Sequence, residues 1–240
     1  MSLLPSLRGV IDRRILVNFR LDPEPLADLL PDGFEPRTVD GVAIGGICCI
    51  RLTSMRPAGF PAVCGLASEN AAHRIGVAYE TDRGRESGVY VPRRDTDSRL
   101  NRFVGRRTVG RQSLAEFDVA EGDGRYELSM RSLESDVSMH VSATEAETLP
   151  DDSVFESVAE ASAYHRCGAV GYCPTPDGEE LAGVELDTDE WGVTPLAVES
   201  VGASLFETSL PDDAVAFDNA LLMEDIGHAW RPRATRPASA

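Results

Sequence analysis

Histidines aside, every basic side chain in this chain of 240 residues is an arginine; none of the 23 Lys+Arg positions is a lysine. That removes any reaction needing a side-chain amine: Schiff-base catalysis, attachment of a pyridoxal group, or a phosphate-loop lysine. What remains is the guanidinium, a permanent charge with a planar fork that fits carboxylates and phosphates. Seven of these, Arg93, Arg94, Arg99, Arg102, Arg106, Arg107 and Arg111, fall in one short stretch with only Asp95 and Asp97 as acids, so 93–111 carries +5 against −22 elsewhere. On a helix, Arg99, Arg102 and Arg106 share one face. Such an island suits an anion site or the rim of a site for a charged ligand. The simpler reading is pairing with acidic segments of the same chain, or of a sister subunit in a homo-oligomer, because surface ion pairs are common and weak.

His165-x-Cys167-x5-Cys173 has ligand types that suit zinc, but its spacing matches no standard finger, and no HxE or PCxxC accompanies it. No metal and no cofactor is expected, and the cysteines read as small buried hydrophobes. The serines lack a GxSxG elbow, and the chain has neither a GxGxxG turn nor a phosphate loop.

The elements that must position these residues are mostly strands. Residues 14–20 read as a strand, followed by a short helix capped by Asp22, with Pro23 and Pro25 in its first turn and Pro31-Asp32-Gly33 stopping it. Asp40-Gly41 turns into a long apolar strand, VAIGGICCIRL, and 55–61 reads as a loop. Further strands are expected at 74–80, 88–91, 114–119, 126–133 and 137–143, with Glu121-Gly122-Asp123-Gly124 as a hairpin. Helices are expected over 95–107, capped by Asp95 or Thr96, and over 155–164, capped by Ser153. Residues 165–209 read as more strands. The sum is a β-rich α+β fold, an antiparallel curved or closed sheet with about three short helices. Residues 1–230 read as one domain, and 231–240, RPRATRPASA, as a disordered tail.

The bulk numbers fit a globular chain: 42% hydrophobic and 26% charged residues. There is no apolar run of transmembrane length and no signal-peptide pattern, and the five cysteines form no disulfide framework, so a cytoplasmic protein is expected. A net charge of −17 argues against nucleic acid and anionic membranes as partners. A surface this acidic and free of lysine suits a salt-filled cytoplasm such as that of a halophilic archaeon, where charge repulsion is screened and carboxylates hold water.

The order of pieces resembles the acetoacetate decarboxylase-like superfamily. The resemblance is carried by Arg13-Arg14 on the first strand, then LLPDGFEP, DGVA, a Gly-Phe-Pro loop, Ser68-Glu69-Asn70 and GVYVPRRD. It looks closest to the uncharacterised YqjF-like branch (domain of unknown function 2071). It covers roughly 11–211 and is most specific at LLPDGFEP…DGVA. The resemblance implies a barrel-like core with an internal pocket. In the decarboxylases proper that pocket uses a lysine nucleophile with a nearby arginine and glutamate. Arg14 (or Arg13) stands where the family's first strand supplies its arginine, and Glu69 where it supplies its glutamate. The lysine should fall near 110–115, which reads Gly-Arg-Gln-Ser-Leu-Ala.

This implies a site made of Arg14, Arg74 and Asp95 as binding residues and Glu69 as the catalytic proton-transfer group, with His73 as the one histidine near it. Such a site would hold a small carboxylate or keto compound without a Schiff base. The alternatives are a non-catalytic small-molecule-binding or scaffold protein on the same fold, and a purely structural salt-bridge network.

Overall fold

The computed structural model describes residues 6–238 except 62, 64 and 109, and the side chains among these except at 104 and 106–108. The elements run β1 (Leu7–Leu21), α1 (Pro23–Ala27), β2 (Phe34–Pro36), β3 (Thr38–Val39), β4 (Val42–Pro57), β5 (Leu66–Thr81), β6 (Gly84–Thr96) and α2 (Arg99–Thr108). They continue with β7 (Ser113–Gly122), β8 (Arg125–Ser132), β9 (Ser138–Glu145), α3 (Val158–Cys167), β10 (Val170–Pro174), β11 (Glu180–Thr188), β12 (Thr194–Ala203), α4 (Ser204–Ser209) and β13 (Val215–Pro237).

Local chemistry fixes many of these boundaries as expected. Asp22 caps α1 by accepting from the Glu24 amide, and prolines occupy its first turn. Asp123 and Gly124, both at positive φ, make the tight turn between β7 and β8. Two caps differ from expectation. Asp95 and Thr96 belong to β6, and the Ser98 hydroxyl accepts from the Asn101 amide at the start of α2. Ser157 caps α3, while Ser153 hydrogen-bonds Asp218 instead. There are four helices among the described residues rather than about three, α4 lying in a stretch expected to be strand.

The strands form a single sheet, and it is mixed rather than antiparallel. β6 pairs in parallel with both β10 and β7, while the other pairings are antiparallel. The parallel pairs arise because α2 and the α3 region return the chain to β6 by crossovers rather than hairpins. The pairings close on themselves twice. One circuit runs β6-β7-β8-β9-β12-β13-β1-β4-β5 and back to β6; the other runs β13-β1-β4-β5-β6-β10-β11 and back to β13. The strands β13, β1, β4, β5 and β6 are therefore a shared wall with a different interior on each face.

Side-chain alternation fills the two interiors separately. Ile15, Val17, Ile47 and Cys49 pack with Met130, Met139 and Val141 on one side. Leu16, Ile44, Cys48 and Leu52 pack with Leu221, Met223 and Tyr164 on the other.

Residues 231–237, expected to be a disordered tail, are the end of β13. They pair with β11 from Glu180↔Pro237 to Glu185↔Arg231, and so seal the second circuit. No helix among the described residues is long and apolar enough to cross a membrane.

Candidate functional site

The second circuit surrounds a part-open cavity of about 80 Å³, lined from β1, β4, β5, β6, β10 and the residues before it, β11 and β13. Its walls are mainly apolar, among them Ile11, Val89, Val184 and Trp230, but three arginines, Arg14, Arg74 and Arg94, also line it. Among the described residues, no Asp or Glu lines it. A register shift in β1 between Ile11 and Arg13 turns Ile11 to the same side as Arg14.

Two of the arginines meet at one sulfur. Cys48 Sγ lies 3.4 Å from Arg14 Nη2 and 3.1 Å from Arg74 Nε. Burial alone would raise the Cys48 thiol's pKa, but the charges of Arg14 and Arg74 outweigh it and bring the thiol below its ordinary value. Its neighbour Cys49, on the opposite face, is pushed up to about 12 by burial. Arg74 is almost fully buried and is anchored to Asn18, which also bonds Asn219.

A second, smaller hollow shares Arg14, Arg74, Val89 and Gly168 with the first, and adds Arg37, Tyr164 and His165. Its end is capped by α3. The Arg37 guanidinium stacks 4.0 Å from the Tyr164 ring centre, and the Tyr164 hydroxyl donates to the Arg37 carbonyl. A side chain at position 76 would meet the Tyr164 hydroxyl at 2.2 Å, so only glycine lets this ring seat. His165 is buried, its pKa lowered well below the usual histidine value by desolvation and then by the neighbouring arginines; among the described residues its Nε2 has no hydrogen-bond partner.

The four residues expected to form one site are therefore divided. Arg14 and Arg74 come together in the cavity. Glu69 does not join them, because Arg13↔Arg51↔Glu69 is one row across β1, β4 and β5 and Arg14↔Ile50↔Asn70 is the next. Adjacent rows present opposite faces. Glu69 is held at 2.6 Å by both Arg13 and Arg51, and the same two arginines clamp Glu121 at the β7–β8 hairpin. Burial raises the Glu121 carboxyl's pKa, but the bonds from Arg13 and Arg51 prevail and hold it below the usual carboxylate range. Of the two candidate arginines on the first strand, Arg13 is the one that meets Glu69.

Asp95 also lies apart. It is fully buried in a two-pronged pair with Arg93, both contacts 2.7 Å, and Arg93 bonds Ser132 as well. Burial nevertheless raises the Asp95 pKa. His73 sits on the Glu69 face, packed near Phe206 with neither ring nitrogen partnered among the described residues.

The arginine island divides too. Arg93 pairs with Asp95 and Arg102 with Glu134, as the simpler reading expects, whereas Arg94 lines the cavity. The side chains of Arg106 and Arg107 lie outside the described residues. His165, Cys167 and Cys173 form no metal-binding group among the described residues. Cys48 is the residue that sequence reasoning passed over; as a small apolar-looking residue in an apolar run it gives no signal until the strand pairing brings two arginines to it.

The sequence profile of the family DUF2071, described as "Uncharacterized conserved protein", matches residues 11–218. No curated protein matches the chain. Solved structures with the same fold include acetoacetate decarboxylase from Legionella pneumophila subsp. pneumophila str. Philadelphia 1. It has a TM-score of 0.62 and 15% identity, with 97% of this chain and 88% of that one covered. The enduracididine biosynthesis enzyme MppR complexed with pyruvate has a TM-score of 0.60 and 13% identity, with 100% and 92% covered. An acetoacetate decarboxylase-like enzyme from Sphingomonas wittichii RW1 has a TM-score of 0.56 and 12% identity, with 99% and 93% covered.

Proposed function

Since the chain belongs to the DUF2071 family and shares the acetoacetate decarboxylase-like fold, we propose that it binds a small carboxylate or keto compound in the arginine-lined cavity. The observation that carries this is three arginines, two of them converging on one sulfur, around a mainly apolar hollow with no carboxylate among the described residues that line it. Guanidinium groups withdrawn from water are costly unless an anion compensates them, and Arg14 Nε and Arg94 Nε have no hydrogen-bond partner among the described residues. A ligand carboxylate supplies that compensation with matching geometry. The pyruvate complex of a protein with this fold supports the ligand class. In our reading Arg14 and Arg74 are the binding residues, Arg94 joins them, and Asp95 acts through the Arg93 pair as part of the wall.

Imine chemistry is outside this reading, because the sequence offers no lysine. Glu69 was the natural proton-transfer group, and its bonds to Arg13 and Arg51 favour a structural role for it at the hairpin. That favours a binding protein, or an enzyme whose reacting group comes from the arginine cluster, over one built on Glu69.

A thermal-shift screen of small carboxylates and keto acids in molar salt, followed by calorimetry on variants, tests the reading. Arg14→Ala and Arg74→Ala are expected to weaken the best ligand by on the order of 2–4 kcal/mol, the cost of leaving a desolvated charge unpaired. Glu69→Gln is expected to leave its affinity unchanged. Loss of binding in Glu69→Gln with retention in Arg14→Ala and Arg74→Ala would move the site to the opposite face of the sheet.

A further inference from the structure

We propose that Cys48 is the covalent handle of this cavity: its sulfur adds reversibly to the carbonyl carbon of a 2-oxo acid whose carboxylate is held by the surrounding arginines. The inference rests on the arginine-cavity reading and adds to it the one nucleophile among the described residues that line the cavity. Three features of the site carry it. Cys48 lines the cavity, and its sulfur is within 3.4 Å of two guanidinium groups, an arrangement that favours the anionic, nucleophilic sulfur. The fork that polarises the sulfur is the same one that would hold the ligand's carboxylate, so the adjacent carbonyl carbon of a 2-oxo acid is kept one bond from the anchored group. Independently, His165, more than nine-tenths buried, lines the adjoining hollow with Nε2 unpartnered among the described residues. A neutral imidazole there offers an N–H to an oxygen on which negative charge develops.

The step balances without an oxidant or reductant. The thiol first loses its proton to solvent. A carbon–sulfur bond then forms while the carbonyl π bond breaks, its electron pair going to oxygen, and that oxygen takes a proton from water to give a hemithioketal. Reversal restores the ketone and the thiol. A chain without lysine can in this way still bond covalently to a ketone, through sulfur instead of nitrogen.

Carbon-13 NMR of the full chain with [2-¹³C]pyruvate as the probe tests the proposal, alongside calorimetry on wild type, Cys48→Ser and Cys48→Ala. The wild type is expected to show a bound tetrahedral-carbon resonance distinct from the hydrate of free pyruvate. Both variants are expected to lose that resonance while still binding pyruvate. Pyruvate bound to wild type with its ketone carbon unchanged would overturn the role of Cys48 and leave the arginine cavity standing. No binding to any form would overturn both.

A second measurement on wild type covers the case in which the variants do not fold. Iodoacetate is expected to alkylate Cys48 faster than neutral iodoacetamide does, with pyruvate protecting Cys48 but not the exposed Cys167. Carboxymethylation of Cys167 alone would refute the proposal.

Discussion

Single side chains here are tuned mainly by what they are buried against. His73 shows this, its ring nitrogens having no hydrogen-bond partner among the described residues. Burial, reinforced by the charge of Arg93, lowers its pKa to about 3, so the native state holds it neutral. An unfolded chain binds a proton at this ring near pH 6.5. Between these values the unfolded state carries the extra proton, so the contribution of His73 to stability is complete above about pH 6.5 and is lost as pH falls toward 3. His228, lowered to about 4 by burial and then by Arg14, acts in the same sense over a narrower window. Replacing the unpartnered ring by an apolar one, His73→Leu, is expected to flatten the acid limb of the stability curve by on the order of 1 kcal/mol per pH unit. Urea melts at pH 7, 6 and 5 decide it; parallel curves for variant and wild type would refute the assignment.

At the scale of elements, β13 is the strand that closes the circuit around the cavity. It pairs with β1 from Val215 to Trp230, meets β12 through Thr194–Leu196, and ends against β11. The far end is fastened by Arg236, whose guanidinium lies 4.8 Å from the Tyr79 ring centre and within 6 Å of those of Phe34 and Tyr172. Removing that stacking in Arg236→Ala is expected to cost about 1–2 kcal/mol while leaving ligand affinity intact. Truncation after Trp230 is expected to cost more and to abolish carboxylate binding, because Val184 on β11 lines the cavity and would lose Pro232, its partner on β13. A truncated chain that melts and binds like the full one would show that the closing strand is dispensable.

Considered whole, the molecule carries −17 with no lysine, while most of its described ion pairs are arginine–carboxylate contacts at or near the surface. Exposed pairs of this kind contribute little singly, so repulsion among the excess carboxylates is the larger electrostatic effect on the folded state. At molar salt that repulsion is screened within about 3 Å. The melting temperature is accordingly expected to rise from low to molar KCl. Melts across a KCl series check this, and a melting point that holds or climbs as salt is withdrawn would count against it.

What the sequence determined by itself follows from residue identity and short-range geometry. The missing lysine rules out imine chemistry through a side chain in any fold. Asp22 with its prolines, the Asp123-Gly124 turn and the apolar run through Cys48-Cys49 specify a cap, a hairpin and a buried strand from local preferences. The order of LLPDGFEP and DGVA pointed to the family.

The tertiary structure alone decided which face each residue serves. Arg13 and Arg14 are neighbours in sequence yet belong to different interiors, one with Glu69 and one with Cys48. Strand alternation guarantees that they part, but only the register against β4 and β5 says which goes where. The parallel pairings and the long closing strand escaped for the same reason. Their partners lie far away in the sequence, and no local preference encodes a distant pairing.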